Sequence, residues 1–314
     1  MARRRRGRHT ESTIREDLEI CIRAALAGGR AVIGHRPRRI VRKQDAYVGH
    51  HAIVSSADHL SQAAIRKDIT SVDPDAWLVF EETAEGRAGS AGRPWADLAH
   101  SGAFIVDELD GSSSFATGHH EWSVSVGYLH SLVHRAAAVF APRVGGGTLF
   151  YAAHRNGAFA REARSRATRL RVAAARLRDA YVLFGPDNFL PDYPLHNRLV
   201  NLIAGAAQTV NSSGSCALAM ALVAAGRANA LVQPLQSPWD WAAGRLLVEE
   251  AGGAVLFYEL SNGRVLPLQR LEVRHYDPAV RAVGFVAGPR DLAGEVLERL
   301  DTLARGRSAR PVGA

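Results

Sequence analysis

The chain has 314 residues, 47% of them hydrophobic and 22% charged, the balance of an ordinary globular protein with one large or two fused α/β units. The formal net charge is +8, much of it from Arg3, Arg4, Arg5, Arg6 and Arg8, and no apolar run approaches a membrane span or a signal peptide. Two cysteines, Cys21 and Cys216, supply neither a disulfide framework nor metal-ligand spacing, so a reduced, cytoplasmic location is expected.

Residues 1–11 read as a basic, disordered tail. Such a run is an electrostatic footprint for nucleic acid. No zinc pattern and no stacking platform among basic residues follows it, so nonspecific contact by the tail is the most it implies. A solvated extension is the simpler reading.

In the half from 12 to 170, Thr13 to Glu16 fits a capping box, and Leu18, Ile22, Ala25 and Leu26 recur at helical spacing. Gly28-Gly29 is expected to interrupt or end that helix, with resumption through Ala31 to Ile33 as the alternative. His35 to Gly49 is basic and irregular and reads as a loop. Ile53 to Asp58 leads into a helix over His59 to Ile69. Trp77 to Phe80 is an apolar strand running into Glu81 and Glu82, and Glu85 to His100 is a Gly- and Ala-rich surface loop. Ala103 to Val106 reads as a buried strand. Trp122 to Leu129, Ala136 to Ala141 and Thr148 to Ala153 continue a sheet, with Gly145 to Gly147 as a turn and a further hairpin starting at Asn156. The expectation is two helices packed on an antiparallel sheet.

The half from 171 to 305 alternates. Strands are expected at Ala180 to Phe184, Ala228 to Val232, Val255 to Tyr258 and Val283 to Ala287. Helices are expected at Leu195 to Ala206, Ser215 to Ala225, Trp241 to Ala251 and Asp291 to Leu303. That alternation argues an α/β unit, and residues 306–314 form a second tail.

Chemistry is concentrated in Ile105-Val-Asp-Glu-Leu-Asp-Gly-Ser-Ser-Ser-Phe115. A strand delivers Asp107 and Asp110 into a Gly-Ser-Ser turn, and carboxylates so placed repel each other unless a cation neutralises them. Hard oxygen ligands on a turn suit Mg²⁺. The amides from Gly111 to Ser113 can cradle an anion, above all where a helix starts. Metal and phosphate at one turn suggest phosphoryl chemistry. Asp240 sits where the Ser237-Pro-Trp loop turns into an apolar helix, at or near its N-terminus.

Three elements in order carry a family resemblance: Glu81-Glu82, the Asp107-Glu-Leu-Asp-Gly-Ser112 run, and Trp239-Asp240 with a small-residue helix ending in Glu250-Ala-Gly-Gly253. With them the chain resembles the inositol monophosphatase family of Mg²⁺-dependent phosphatases, the group that includes fructose-1,6-bisphosphatases, from about residue 50 to about 290. The resemblance implies a five-layer α-β-α-β-α sandwich with the site between the halves, two or three Mg²⁺ ions, and a homodimer. It assigns Glu81, Asp107, Asp110 and Asp240 as metal carboxylates and the Leu109 carbonyl as a further ligand. Asp58, at the family's entry to the second helix, and Ser112 would orient and deprotonate the attacking water. The amides of Gly111 and Ser112 would hold phosphate oxygens, and Gln233 and Asp240 would contact substrate. The expected activity is hydrolysis of a small phosphorylated polyol or sugar, inositol monophosphate by default. A sugar bisphosphate, histidinol phosphate or a phosphorylated nucleotide would need the same chemistry, and a non-catalytic binder of phosphorylated ligands or nucleic acid is the reading from another class.

Each assignment has a plainer competitor. Asp58 is also a routine helix cap, and Glu82 competes with Glu81 as a ligand, the family pattern favouring the first acid. Ser113 and Ser114 fit turn residues, Trp239 and Trp241 fit packing, and the pair His119 and His120 fits an exposed loop. Glu249 and Glu250 look like a structural helix-end pair. Glu108 stands where many relatives have Pro, and either tightens metal binding or points to solvent. Gln233 replaces an acid that contacts substrate hydroxyls in inositol-hydrolysing relatives, offering a donor as well as an acceptor and no charge. Cys216 replaces a small residue near the expected substrate wall. The loop lysine of relatives has only Lys43 as its nearest candidate.

Overall fold

The computed structural model describes residues 11–35, 40–42, 53–82, 93–163, 165–277 and 283–306. Residues 1–10 and 307–314 of the expected tails, the loop candidate Lys43 and residues 85–92 of the expected 85–100 loop lie outside the described residues, and the rest of that loop carries a 3-10 helix, Trp95–Ala99, that buries Leu98.

The chain opens with α1 (Glu11–Val32), then a short antiparallel pair, β1 (Ile40–Arg42) and β2 (Ile53–Ser55), leading directly into α2 (Ser56–Val72). β3 (Leu78–Phe80), β4 (Gly102–Asp110), the single-turn helix α3 (Ser112–Ala116), β5 (Ser123–His130), β6 (Val133–Ala141), β7 (Thr148–Ala153), β8 (Gly157–Glu162) and β9 (Thr168–Arg169) follow. β3 to β9 form one seven-stranded sheet in sequence order, antiparallel except for the parallel β3–β4 pair. Parallel pairing of β3 with β4 puts the C-terminal ends of both strands at one edge, so Glu81 and Asp107 emerge side by side.

α1 runs straight through Gly28-Gly29, against the expected break. A Cβ at Gly28 would lie 2.6 Å from Ser61 Oγ and 2.8 Å from Ile65 Cδ1 of α2. The helix tolerates the roughly 1 kcal/mol cost of an interior glycine because the missing side chain lets α2 approach closely. The two helices cover one face of the sheet, burying Ile20, Ala24, Ile65 and Ile69 against Phe104, Val106, Val124 and Val126.

The second sheet is built from β10 (Tyr181–Phe184), β11 (Thr209–Ser212), β12 (Ala230–Gln236), β13 (Ala254–Ser261), β14 (Arg264–Pro267) and β15 (Val283–Gly288), in the spatial order β11-β10-β12-β15-β13-β14. Helix α4 (Pro194–Ala204) connects β10 to β11, α5 (Cys216–Ala224) connects β11 to β12, α6 (Pro238–Glu250) follows β12, and α7 (Arg290–Ala304) ends the fold. β10 pairs in parallel with both β11 and β12, and the rest is antiparallel.

α5 and α6 lie between the sheets. Met220, Leu246, Leu247 and Trp241 pack with Ile105, Val139 and Phe150 of the first sheet and with Leu231 and Phe285 of the second. The apolar sequence of α5, buried almost all round, follows from that central position. α4 and α7 close the outer face through Leu199, Ile203, Val296 and Leu300. Helix pair, sheet, helix pair, sheet and helix pair make a five-layer α-β-α-β-α sandwich, as expected. Among the described residues no helix is long and apolar enough to cross a membrane.

Candidate active site

Residues three apart on a regular strand face opposite sides of the sheet. The β4–β5 register shifts between Asp107 and Asp110, and that irregularity turns both carboxylates toward the same side. Gly111 then takes φ +88, a left-handed conformation costly for other residues, and its Cβ would in any case lie 2.8 Å from the Glu121 carbonyl oxygen. Helix α3 begins at once with Ser112.

Carboxylate oxygens of Asp107, Asp110 and Asp240 lie within 4.8 Å of one another. Asp107 and Asp110 are buried and Asp240 is half-buried. Asp240 comes from the first turn of α6, where a Ser237 capping box holds it and the Ser237 amide donates to its Oδ2 at 2.8 Å. Burial raises the Asp107 carboxyl well above its ordinary range, with Glu81, Asp110, Asp240 and Glu108 adding repulsion. The same holds for Asp240, pushed up by burial and then by Glu81 and Asp110. Glu81 is thus an electrostatic neighbour of both.

Asp110 is the best supported of the three. Its Oδ1 accepts from the Cys216 amide at 3.0 Å, and its Oδ2 from the Ala217 amide at 2.8 Å and the Ser123 hydroxyl at 3.1 Å. The Ser215 hydroxyl donates to Oδ2 as well. Burial still raises this carboxyl, but these four donors oppose it. The acceptor capacity left over suits a cation: Asp107 commits only Oδ1, to the Leu109 amide at 3.0 Å, and Asp240 is bound through Oδ2. An all-oxygen, buried, mutually repelling donor set fits a hard divalent ion.

Beside the cluster, Ser112 Oγ lies 2.8 Å from Asp58 Oδ1 and 2.9 Å from the Leu109 carbonyl oxygen. The other Asp58 oxygen accepts from the amide and the hydroxyl of Ser55, both at 2.8 Å. Asp58 is therefore a helix cap and a neighbour of Ser112 at once; the two readings of this residue are compatible. Gln233, almost fully buried on β12, lies beside the Cys216 thiol, and its Oε1 has no hydrogen-bond partner among the described residues. A Cβ at Gly185 would lie 1.9 Å from that Oε1, so Gly185 makes room for the amide.

Asp58, Asp107, Leu109, Asp110, Gly111, Ser112, Gln233 and Asp240 are thereby joined by direct contacts or through one intervening residue, with Glu81 alongside. Glu108 does not point to solvent: it is fully buried and its carboxylate accepts from the Glu82 amide at 3.1 Å. Trp241 is core and Trp239 packs against it. His119 and His120 are exposed. Glu250 accepts from the amides of Arg155 and Gly157 at 2.6 and 2.8 Å, and Glu249 pairs with Arg245 at 2.9 Å, which are structural roles. Sequence reasoning missed Ser123 and Ser215, the hydroxyls that hold Asp110. Only the Gly-Ser step before an apolar helix hinted at the second, as an N-cap.

The family model for the inositol monophosphatase family matches residues 14–295. A histidinol-phosphatase of Chlorobaculum parvum is 30% identical over 246 residues, covering 77% of this chain and 86% of that protein. An inositol-1-monophosphatase of Rhizobium meliloti is 31% identical over 204 residues, covering 64% of this chain and 70% of that protein. Among solved structures, the extragenic suppressor protein suhB of Bartonella henselae superposes with a TM-score of 0.71 at 25% identity, covering 90% of this chain and 97% of that one. The family model spans the carboxylate cluster and both sheets, and on these matches the chain belongs to the inositol monophosphatase family and is a phosphoric monoester hydrolase.

Proposed function

We propose that the protein hydrolyses a small phosphorylated polyol or sugar with Mg²⁺, inositol monophosphate being the default substrate. The observation that carries this reading is the convergence of Asp107, Asp110 and Asp240 within 4.8 Å, next to a Ser112–Asp58 contact of 2.8 Å.

Glu81, Asp107, Asp110, Asp240 and the Leu109 carbonyl would hold two or three Mg²⁺ ions. Bound there, Mg²⁺ supplies Lewis-acid stabilisation of phosphoryl oxygens and an acidified water. The residues do the rest. Ser112 and Asp58 form a hydroxyl–carboxylate pair that accepts the proton of the attacking water, with Ser55 fixing the Asp58 carboxylate in place through its other oxygen. The amides of Gly111 and Ser112, at the mouth of α3, receive phosphate oxygens. Gln233 and Asp240 face the leaving alcohol. Water attacks directly, so no covalent phosphoenzyme forms.

The histidinol-phosphatase relative favours a second substrate class for the same chemistry, and Gln233, uncharged where inositol-hydrolysing relatives carry an acid, is compatible with it. The division of labour between residues 12–170, with most of the metal site, and 171–305, with Asp240 and Gln233, belongs to this reading, as do a cytoplasmic location and a homodimer.

The test is phosphate release from inositol 1-phosphate, fructose 1,6-bisphosphate, histidinol phosphate and adenosine 3′,5′-bisphosphate, with and without Mg²⁺. Mg²⁺-dependent release from one compound far above the others supports the reading and names the substrate. Release that persists undiminished in a chelator overturns the metal assignment.

A further inference from the structure

Strand β3 pairs with β4 only as far as Phe80, opposite Val106. Two residues farther along each chain stand Glu82 and Glu108, and here a side chain takes over from the ladder. The Glu108 carboxylate accepts the Glu82 N–H at 3.1 Å. Glu81, between Phe80 and Glu82, is thus held on both sides: by the last backbone pairing before it and by a side-chain latch after it.

Glu108 is itself rigid. It is fully buried, and its own carbonyl accepts from the Ser61 hydroxyl of α2 at 2.6 Å. It sits in the irregular stretch of β4 that turns Asp107 and Asp110 toward the same side. Its Oε2 is buried with no hydrogen-bond partner among the described residues, and its electrostatic neighbours are Glu81, Glu82 and Asp58. A carboxylate is a poor choice for such a place if the only task is to fill space, since an apolar side chain would avoid the desolvation. Its presence is explained by the amide that it receives.

We propose that Glu108 is a positioning residue: its carboxylate latches the Glu82 amide and thereby fixes Glu81 beside Asp107 for cation binding. The inference rests on the reading of Glu81 as a metal ligand.

Two readouts on the full chain test it: hydrogen exchange of the Glu82 amide in the metal-free protein, and Mn²⁺ affinity measured by electron paramagnetic resonance. Wild type, Glu108→Gln, Glu108→Ala and Glu81→Gln are compared. Glu108→Ala should lose protection at Glu82 and bind Mn²⁺ about 10-fold more weakly, the usual order for a lost ligand-orienting contact. Glu108→Gln, which keeps an acceptor oxygen, should stay near wild type in both. Wild-type protection and affinity in Glu108→Ala would overturn the latch, and so would a Glu108→Gln variant as impaired as Glu108→Ala, which would assign the effect to charge. Should Glu108→Ala fail to fold, protection at Glu82 in Glu108→Gln decides: retained, the latch stands; lost, it falls. Unchanged Mn²⁺ affinity in Glu81→Gln would instead remove Glu81 from the ligand set, a failure of the metal reading that the Glu82 exchange data distinguish from failure of the latch.

Discussion

Asp110 accepts the amide of Cys216 at 3.0 Å, so a carboxylate at the end of β4 caps the first turn of α5, a helix that packs between the two sheets. The neighbouring Ala217 amide joins it at 2.8 Å. The positive end of the helix dipole favours the ionised carboxylate, which is the form that binds a cation. One side chain therefore ties the first sheet to the central helix layer, and the donors at that helix start oppose the burial that raises its carboxyl.

Asp110→Asn keeps the shape but gives up the charge and one acceptor. It should lower turnover at least about 100-fold, because an orienting contact alone is worth 10–100-fold and on the proposed reading this residue would be a ligand of the ion itself. Circular dichroism should show an intact fold. Steady-state phosphate release checks the first point, and full turnover in the variant would remove Asp110 from the metal site.

Ser112→Ala removes the hydroxyl 2.8 Å from Asp58 and leaves the three clustered aspartates untouched. Turnover should fall by about 10²–10⁴-fold, the range for a lost acid–base group, with Mn²⁺ affinity near wild type. An equal loss of metal affinity would show that Ser112 acts through the ligands.

How much of this was legible in the sequence follows from distance along the chain. Asp107, Asp110, Gly111 and Ser112 are adjacent, and their spacing alone announced a turn loaded with oxygen ligands. Asp240 was readable because Ser-Pro-Trp-Asp marks a helix start. The Asp58–Ser112 contact joins residues 54 apart, and only a family pattern could suggest it. Ser123 and Ser215 were missed because serine signals turns and caps far more often than second contacts to a ligand. Four-residue strands such as β11 and β14 are too short to show an alternation, being largely exposed as well. Gly28-Gly29 misled because propensity is local, whereas the close approach of α2 that rewards it is tertiary.

Gly185→Ala should perturb substrate recognition more than folding. Its Cβ would lie 1.9 Å from Gln233 Oε1, and the amide, being the end of a flexible side chain, must swing away. KM should rise severalfold with kcat near wild type, the pattern for lost uniform binding. Unchanged KM for every substrate in the panel would take Gln233 out of the substrate wall.

Acid should destabilise the protein through two buried histidines. His134 bridges the Ala242 carbonyl and Tyr276 at 2.9 Å each, and burial lowers its pKa from 6.5 to about 3. His196, against Tyr258, is lowered by burial to about 4. The unfolded chain binds these protons from about pH 6.5 downward, while the native chain refuses them until far lower. At these two sites more protons are then bound in the unfolded state, so their contribution to stability rises with pH in this window and is lost as pH drops from about 6.5 toward 4, by up to about 1.4 kcal/mol per pH unit for each histidine. The raised Asp107 and Asp240 carboxyls contribute in the opposite sense. Tm against pH from about 6.5 to about 4.5 in wild type and His134→Gln checks this: the variant should lose less stability on acidification, and identical pH profiles would contradict it.

On the proposed reading Asp107, Asp110 and Asp240 together hold the cation that phosphate hydrolysis needs. Anomalous diffraction from crystals soaked in Mn²⁺ tests it most directly. The predicted result is an anomalous peak among these three carboxylates, lost in Asp110→Asn. A crystal with no peak there, from protein that hydrolyses phosphate esters under the same Mn²⁺ concentration, would contradict it.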